Sequence, residues 1–156
     1  MRLVFQVGTN AQFRYPRLVT LSPDGGLLYV SSWYQVGVRV VNLGTLQTHD
    51  LIGRGTSPFC SGEVEHAVGT SACLNGLMGL SEVSPDGNYL YGVDGNEIWR
   101  FALFGTNAAS KLPITHANGQ AFTAFSSAGL CIAPDGSALY AANEGASRPL
   151  TVGWIG

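Results

Sequence analysis

Ser22-Pro23-Asp24-Gly25 recurs as Ser84-Pro85-Asp86-Gly87 and again as Ala133-Pro134-Asp135-Gly136. Each copy leads in the same frame into a Leu-Tyr pair: Leu28-Tyr29, Leu90-Tyr91 and Leu139-Tyr140. A turn repeated in one frame against one strand marks a supersecondary unit copied three times. Internal repetition of this kind sets an architecture before any local assignment is made.

The turn has a mechanism. Proline at the second position presets its backbone angle, Asp tolerates the bridge region at the third, and Gly follows. The strand before each turn ends in an apolar residue at one aligned position: Leu21, Val83 and Ile132. The strand after it carries the aligned leucines and tyrosines, which are expected to be buried between sheets. Short apolar runs bounded by turn residues read as hairpin strands. Val36 to Val41 and Gln47 to Ile52 extend the first copy, with the Asn42-Leu43-Gly44 turn between them. Glu97 to Leu103 and Lys111 to Thr115 take those places in the second copy, and Leu150 to Ile155 supplies a third strand in the last.

No stretch has helical periodicity, so each unit is about four short antiparallel strands. Four-stranded sheets repeated at roughly 40–50 residues are the signature of β-propeller blades. The reading is therefore all-β, a single segment over 1–156 with blade units at roughly 15–55, 74–118 and 126–156. The first interval between turns is the longer, and its surplus at Thr56 to Ser71 is a loop insertion between blades. Leu3-Val4-Phe5-Gln6-Val7-Gly8 resembles the closing stretch Leu51-Ile52-Gly53, so strand 2–8 is expected to complete a blade that lacks its fourth strand. Full propellers typically use four to eight blades. Three blades are then a partial propeller from a longer chain, or half of a six-bladed ring completed by a second copy.

Apolar residues make up 46% of the chain and charged residues 12%, with 21 glycines. Turns are many and solvating surface is scarce, which suggests that some surface is covered in the native setting. The net charge of −2 and seven scattered arginines leave no basic footprint for nucleic acid. No apolar run is long enough for a membrane span. The start from Met1 to Phe5 meets a polar residue at Gln6 and carries no cleavage site, so no signal peptide is expected.

Leu-x-x-x-Ser-Pro-Asp-Gly-x-x-Leu-Tyr, read from Leu18 or Leu80 onward, resembles NHL-type and YVTN-type β-propeller repeats. Ala138 to Gly145 is similar to the YVTN version. Leu51 to Thr56, Gly69 to Ala72 and Leu77 to Leu80 are similar to the NHL version with its Gly-rich linker. The resemblance implies a propeller. Such propellers serve as binding platforms, structural arrays, lyases and lactonases, so it does not imply one activity. Two departures stand out: Gly92 occupies the place of Val30, and Pro149 falls in the third strand of the last unit, where a ladder donor is lost.

Asp24, Asp86 and Asp135 repeat with the turn, and a turn role is expected for them. Glu63, Glu65 and His66 put two carboxylates and an imidazole in the insertion, a donor set that could hold a divalent metal. A solvated acidic loop explains them as well, so no metal and no cofactor is assigned. His49 and His116 are isolated, and no nucleophile, phosphate-loop or zinc motif is present. Cys60 and Cys73 bracket the insertion and could close it by a disulfide in an oxidising compartment, while Cys131 falls in a strand expected to be buried.

In a propeller the connections between second and third strands share one face with the inter-blade linkers, and loops on a rigid scaffold are where binding resides. That face is expected to carry Trp33, Tyr34, Gln35, Arg54, Asp94, Asn96, Glu144 and Arg148. Exposed Trp, Tyr and Arg are favoured at binding hot spots. The expected function is a non-catalytic interaction module for a protein or glycan, with no catalytic residue. The alternative is a piece of a lactonase-type or lyase-type propeller enzyme with a metal at the channel mouth, to which Asp94, Asn143 and Glu144 could contribute.

Overall fold

A computed structural model describes residues 6–7, 11–13, 15–32, 37–53, 69, 82–94, 97–112, 130–141 and 151–154. Among these the chain is all-β, and no helix is long and apolar enough to cross a membrane. The first sheet contains β1 (Gln6–Val7), β2 (Pro16–Leu21), β3 (Leu27–Ser32), β4 (Gly37–Asn42) and β5 (Gln47–Gly53). The second contains β6 (Glu82–Val83), β7 (Tyr89–Asp94), β8 (Glu97–Ala102) and β9 (Ala109–Leu112). The third contains β10 (Leu130–Ile132), β11 (Ala138–Ala141) and β12 (Thr151–Trp154). Every described strand pairing is antiparallel.

The repeated turn imposes one register on all three hairpins. Leu21 pairs with Leu28, Val83 with Leu90 and Ile132 with Leu139. In each turn the glycine N–H donates to the carbonyl three residues back, at 2.8 Å: Gly25 to Ser22, Gly87 to Ser84 and Gly136 to Ala133. The three glycines hold φ of 73°, 75° and 74°. This left-handed conformation disfavours any residue with a Cβ by roughly 1–2 kcal/mol, which is why the motif closes on Gly.

The aspartates are consumed by the same turns. Asp24 accepts from the Gly26 N–H and the Ser22 hydroxyl. Asp86 accepts from the Asn88 N–H and amide and from the Ser84 hydroxyl. Asp135 accepts from the Ser137 N–H and hydroxyl. Where the first two copies also let Leu27 and Tyr89 donate to Ser22 and Ser84, the third copy has Ala133 and has lost that bond. Hydrogen bonds from the hydroxyls, then from backbone N–H groups, hold all three carboxyls below the usual carboxylate range. A depressed folded-state value contributes stability above the unfolded-state value and loses it as pH falls through the folded one. Acidification through and below the ordinary carboxylate range should therefore lower the melting temperature. A variant with all three aspartates changed to Ala should start lower and show a shallower acid decline. An acid profile parallel to that of the wild type would remove the turns as its source.

The sheets stack face to face. Tyr29, Val38, Val40 and Ile52 of the first sheet meet Leu90, Trp99, Phe101 and Ala109 of the second. On the opposite face of the second sheet, Tyr91, Val93 and Ile98 meet Leu130, Ile132 and Leu139 of the third. The first strands β2, β6 and β10 run beside one another. The second sheet thus presents its leucine side to the preceding sheet and its tyrosine side to the following one.

Four expectations need correction. Gln6–Val7 does not complete a blade lacking a fourth strand; it pairs with β5, Gln6 opposite Thr48 and Val7 opposite Gln47, as the fifth strand of the first sheet. The outer edge of β5 otherwise exposes unpaired backbone groups, and an added strand satisfies them. Leu28 and Tyr140 are half-buried while their counterparts are buried, because each lies on an outward face of the stack. Cys131 is exposed: β10 alternates, and its neighbours Leu130 and Ile132 take the core face. The last strand of the second sheet starts at Ala109, before the Lys111 expected from the sequence.

Candidate functional site

The second-to-third-strand hairpins of the first two sheets end at equivalent positions, three residues past the aligned tyrosines, and the described ladder of the third sheet reaches one residue past Tyr140. Ser32 pairs with Gly37, Asp94 with Glu97 and Ala141 with Thr151. Residues 33–36, 95–96 and 142–150, which follow these strands, lie outside the described residues. Trp33, Tyr34, Gln35, Arg54, Asn96, Glu144 and Arg148 lie outside the described residues, as do Asn143, Pro149, His66, His116, Cys60, Cys73 and the insertion carboxylates. The backbone of Asp94 closes β7 opposite Glu97, directly before the two-residue connection. Of the eight expected residues, only the backbone of Asp94 is thus positioned among the described residues.

Beneath this edge are polar groups that the sequence did not single out. Arg39 lies in the Val-rich run of β4, on the face opposite Val38 and Val40. Its Nε stands 2.9 Å from Asp50 Oδ1 on β5. Its Nη1 donates to the Gln12 carbonyl at 2.7 Å, and the guanidinium lies 5.0 Å from the Phe13 ring centroid. One side chain thus ties residues 12–13 across the outer face of the first sheet. Ser32, Gly37, Val38, Arg39, Asp50 and Ile52 line a small cleft there. The Ser31 and Ser32 hydroxyls are buried with no hydrogen-bond partner. An unmet buried hydroxyl costs about 1–3 kcal/mol.

The second sheet carries a matching pair. Glu97, the first residue after the connection, forms an ion pair with Lys111 on the neighbouring strand. The other carboxylate oxygen of Glu97 and the Trp99 indole N–H are buried without partners. On β8, Arg100 lies 4.9 Å from the ring centroid of Tyr89 on β7, and the Tyr89 and Tyr91 rings are 6.4 Å apart. Burial pushes the Tyr91 hydroxyl and the Glu82 carboxyl up from their ordinary values. Burial likewise lowers the His49 imidazole at its half-buried position on β5, against the opposing pull of the Asp50 carboxylate. Among the described residues no group of three or more His, Cys, Asp or Glu is placed to hold a metal ion. The one sequence signal for Arg39 was a charge inside an alternating apolar run; its partner Asp50 lies on another strand and left none.

No family model and no curated protein sequence matches the chain. Among solved structures it is similar over 99% of its length to a candidate 6-phosphogluconolactonase of Bacteroides uniformis ATCC 8492, with a TM-score of 0.55 and 13% identity. It covers 47% of that chain. It is also similar over 88% of its length to U3-55K, at a TM-score of 0.49 and 15% identity, covering 35% of that protein. The chain thus spans about half or less of the length of these structures. Identity this low carries the arrangement of the sheets and no chemistry.

Proposed function

We propose that the chain is an NHL-like or YVTN-like β-propeller segment that serves as a non-catalytic interaction module. Its partner is a protein or a glycan, held at the end of the sheets from which the three second-to-third-strand connections leave. The observation that supports this reading is the hairpin register shared by the three sheets, which gives the first two connections equivalent feet. Packed sheets hold those feet rigidly, and rigid feet lower the ordering cost of binding through loops. Trp33, Tyr34, Gln35 and Arg54 are the contacts assigned to the first unit, Asp94 and Asn96 to the second, and Glu144 and Arg148 to the third. Glycan-array and peptide-array binding tests it. Trp33→Ala and Tyr34→Ala should each weaken the captured ligand by about thirtyfold, as hot-spot truncations do, with the melting temperature unchanged. Binding that survives substitution of all eight residues would overturn the assignment.

The enzyme reading draws support from the fold likeness to the candidate 6-phosphogluconolactonase. On that reading the chain supplies part of a lactone-hydrolysing propeller, and Asp94, Asn143 and Glu144 would contribute oxygen donors to a metal at the channel mouth. Calcium or zinc would then raise the melting temperature, since a ligand of the native state alone stabilises by mass action. Loss of that rise in Asp94→Ala or Glu144→Ala, together with turnover of a sugar lactone, would favour the enzyme over the module.

A further inference from the structure

The seam between the first and second sheets turns polar toward the end from which the second-to-third-strand connections leave. Ser31 and Trp99 are 0% and 2% exposed, and their hydroxyl and indole N–H have no hydrogen-bond partner. One carboxylate oxygen of Glu97 is buried in the same condition. The register puts these groups on facing surfaces. Glu97 and Trp99 alternate with Ile98 along β8 and share the face of Phe101, which meets the first sheet. Ser31 pairs with Val38 and shares the face of Tyr29, which meets the second. Trp99 stands opposite Gly92, one residue past the aligned tyrosine; Ser31 lies two past it, and Glu97 stands opposite Asp94, three past. The three groups thus fall within two residue steps along the strands, roughly 7 Å. The repeat itself does not require this. In the seam between second and third sheets, Val93 and Ile98 hold the places of Ser31 and Val38.

We propose that Ser31, Glu97 and Trp99 form a subsite for one hydroxyl group of a neutral sugar, entered at the rim of the seam beside Glu97. The assignment rests on the module reading above and narrows its partner to a glycan. The polar groups select the ligand. An indole N–H only donates, a carboxylate oxygen only accepts, and a serine hydroxyl does either. A cation would face the indole N–H and the Lys111 ammonium, and an anion would face the unpartnered oxygen of Glu97, so a neutral group fits. A hydroxyl accepts from the Trp99 indole and from Ser31 and donates to Glu97, so a single oxygen satisfies all three. A carboxamide would have to divide the same contacts between two atoms. Lys111, ion-paired with the other oxygen of Glu97, holds the carboxylate in place. The Glu97 and Lys111 side chains are 22% and 35% exposed, so the cluster reaches solvent on their side. Gly92, buried opposite Trp99, adds no side chain there, whereas the first unit has Val30. A glycine within a strand often marks a close approach by a ligand or another segment.

Magnetic-resonance titration of the isotope-labelled chain with the methyl glycosides of glucose, mannose and galactose tests it. The indole N–H signal of Trp99, identified by its loss in Trp99→Phe, should shift and saturate with at least one of them. Glu97→Gln should weaken that glycoside about tenfold or more, because hydrogen bonds to charged groups are the strong ones. Ser31→Ala separates a ligand contact from a structural one. It should weaken binding about fivefold and leave the melting temperature of the free chain unchanged or higher, since it removes a buried hydroxyl that has no partner. A lower melting temperature in Ser31→Ala would reveal a structural hydrogen bond and overturn the subsite. An indole signal moved by none of the glycosides overturns it too, and so does one moved further by acetamide. Capture of a ligand through Trp33 and Tyr34 with the Trp99 signal unmoved would overturn the subsite alone and leave the module reading standing.

Discussion

Phe101→Ala is expected to remove about 3–5 kcal/mol of stability, the usual loss for truncating a buried aromatic. Phe101 is completely buried between the first and second sheets. It pairs with Leu90 on one side and Ala109 on the other, and its ring stacks 6.5 Å from that of Trp99. Tyr29, Val38 and Val40 close over it from the facing sheet. The ladders fix the backbone on both sides, so the sheets cannot collapse into the space left by the ring, and the cavity adds to the lost transfer energy. Domains of this size hold only about 5–15 kcal/mol in total, so the variant should lose roughly a fifth or more of its stability. Urea unfolding should show a lower midpoint at unchanged slope. Phe104→Ala is the control: Phe104 is exposed, and its truncation should stay within about 0.5 kcal/mol. Equal effects at the two positions would contradict the packing.

Leu139→Ala should cost about 2–5 kcal/mol and act in a different place. Leu139 is buried against Tyr91, Val93 and Ile98 and helps hold the third sheet to the second. The third sheet has three described strands against four or five in its neighbours. Weakening its one covered face should let it open before the rest of the chain unfolds, since units with little buried contact open first. Amide exchange should accelerate across β10 and β11 while β7 and β8 stay protected. Uniform acceleration across all three sheets would show that the stack unfolds as one unit.

Much of this was legible in the sequence because the decisive signal is local. A Pro-Asp-Gly turn fixes its own backbone geometry within a few residues, and that geometry sets the register of the flanking strands. Three copies of the turn therefore gave three hairpins in one register, with Leu90, Leu139, Tyr29 and Tyr91 buried as the frame predicts. The aspartates read as turn residues for the same reason, and each spends its carboxylate within two residues of itself. The proposed binding residues have no such signal. They sit in connections whose sequence follows no period, and the pairing of their flanking strands carries the only positional information about them.

Local pattern specifies which residues share a face of a strand; it does not specify what stands opposite that face. Leu21, Val83 and Ile132 occupy one motif position, yet Leu21 is exposed and the other two are buried, because only the latter have a preceding sheet. Cys131 points outward by the alternation that buries Leu130 and Ile132. Arg39 finds Asp50 and the Gln12 carbonyl only after three separate segments meet. Gln6–Val7 likewise joins the strand edge that folding brings nearest. Strand, turn and register were determined by the sequence through short-range chemistry, whereas burial, ion pairing and edge protection were decided by the tertiary structure, since each depends on a surface supplied from elsewhere in the chain.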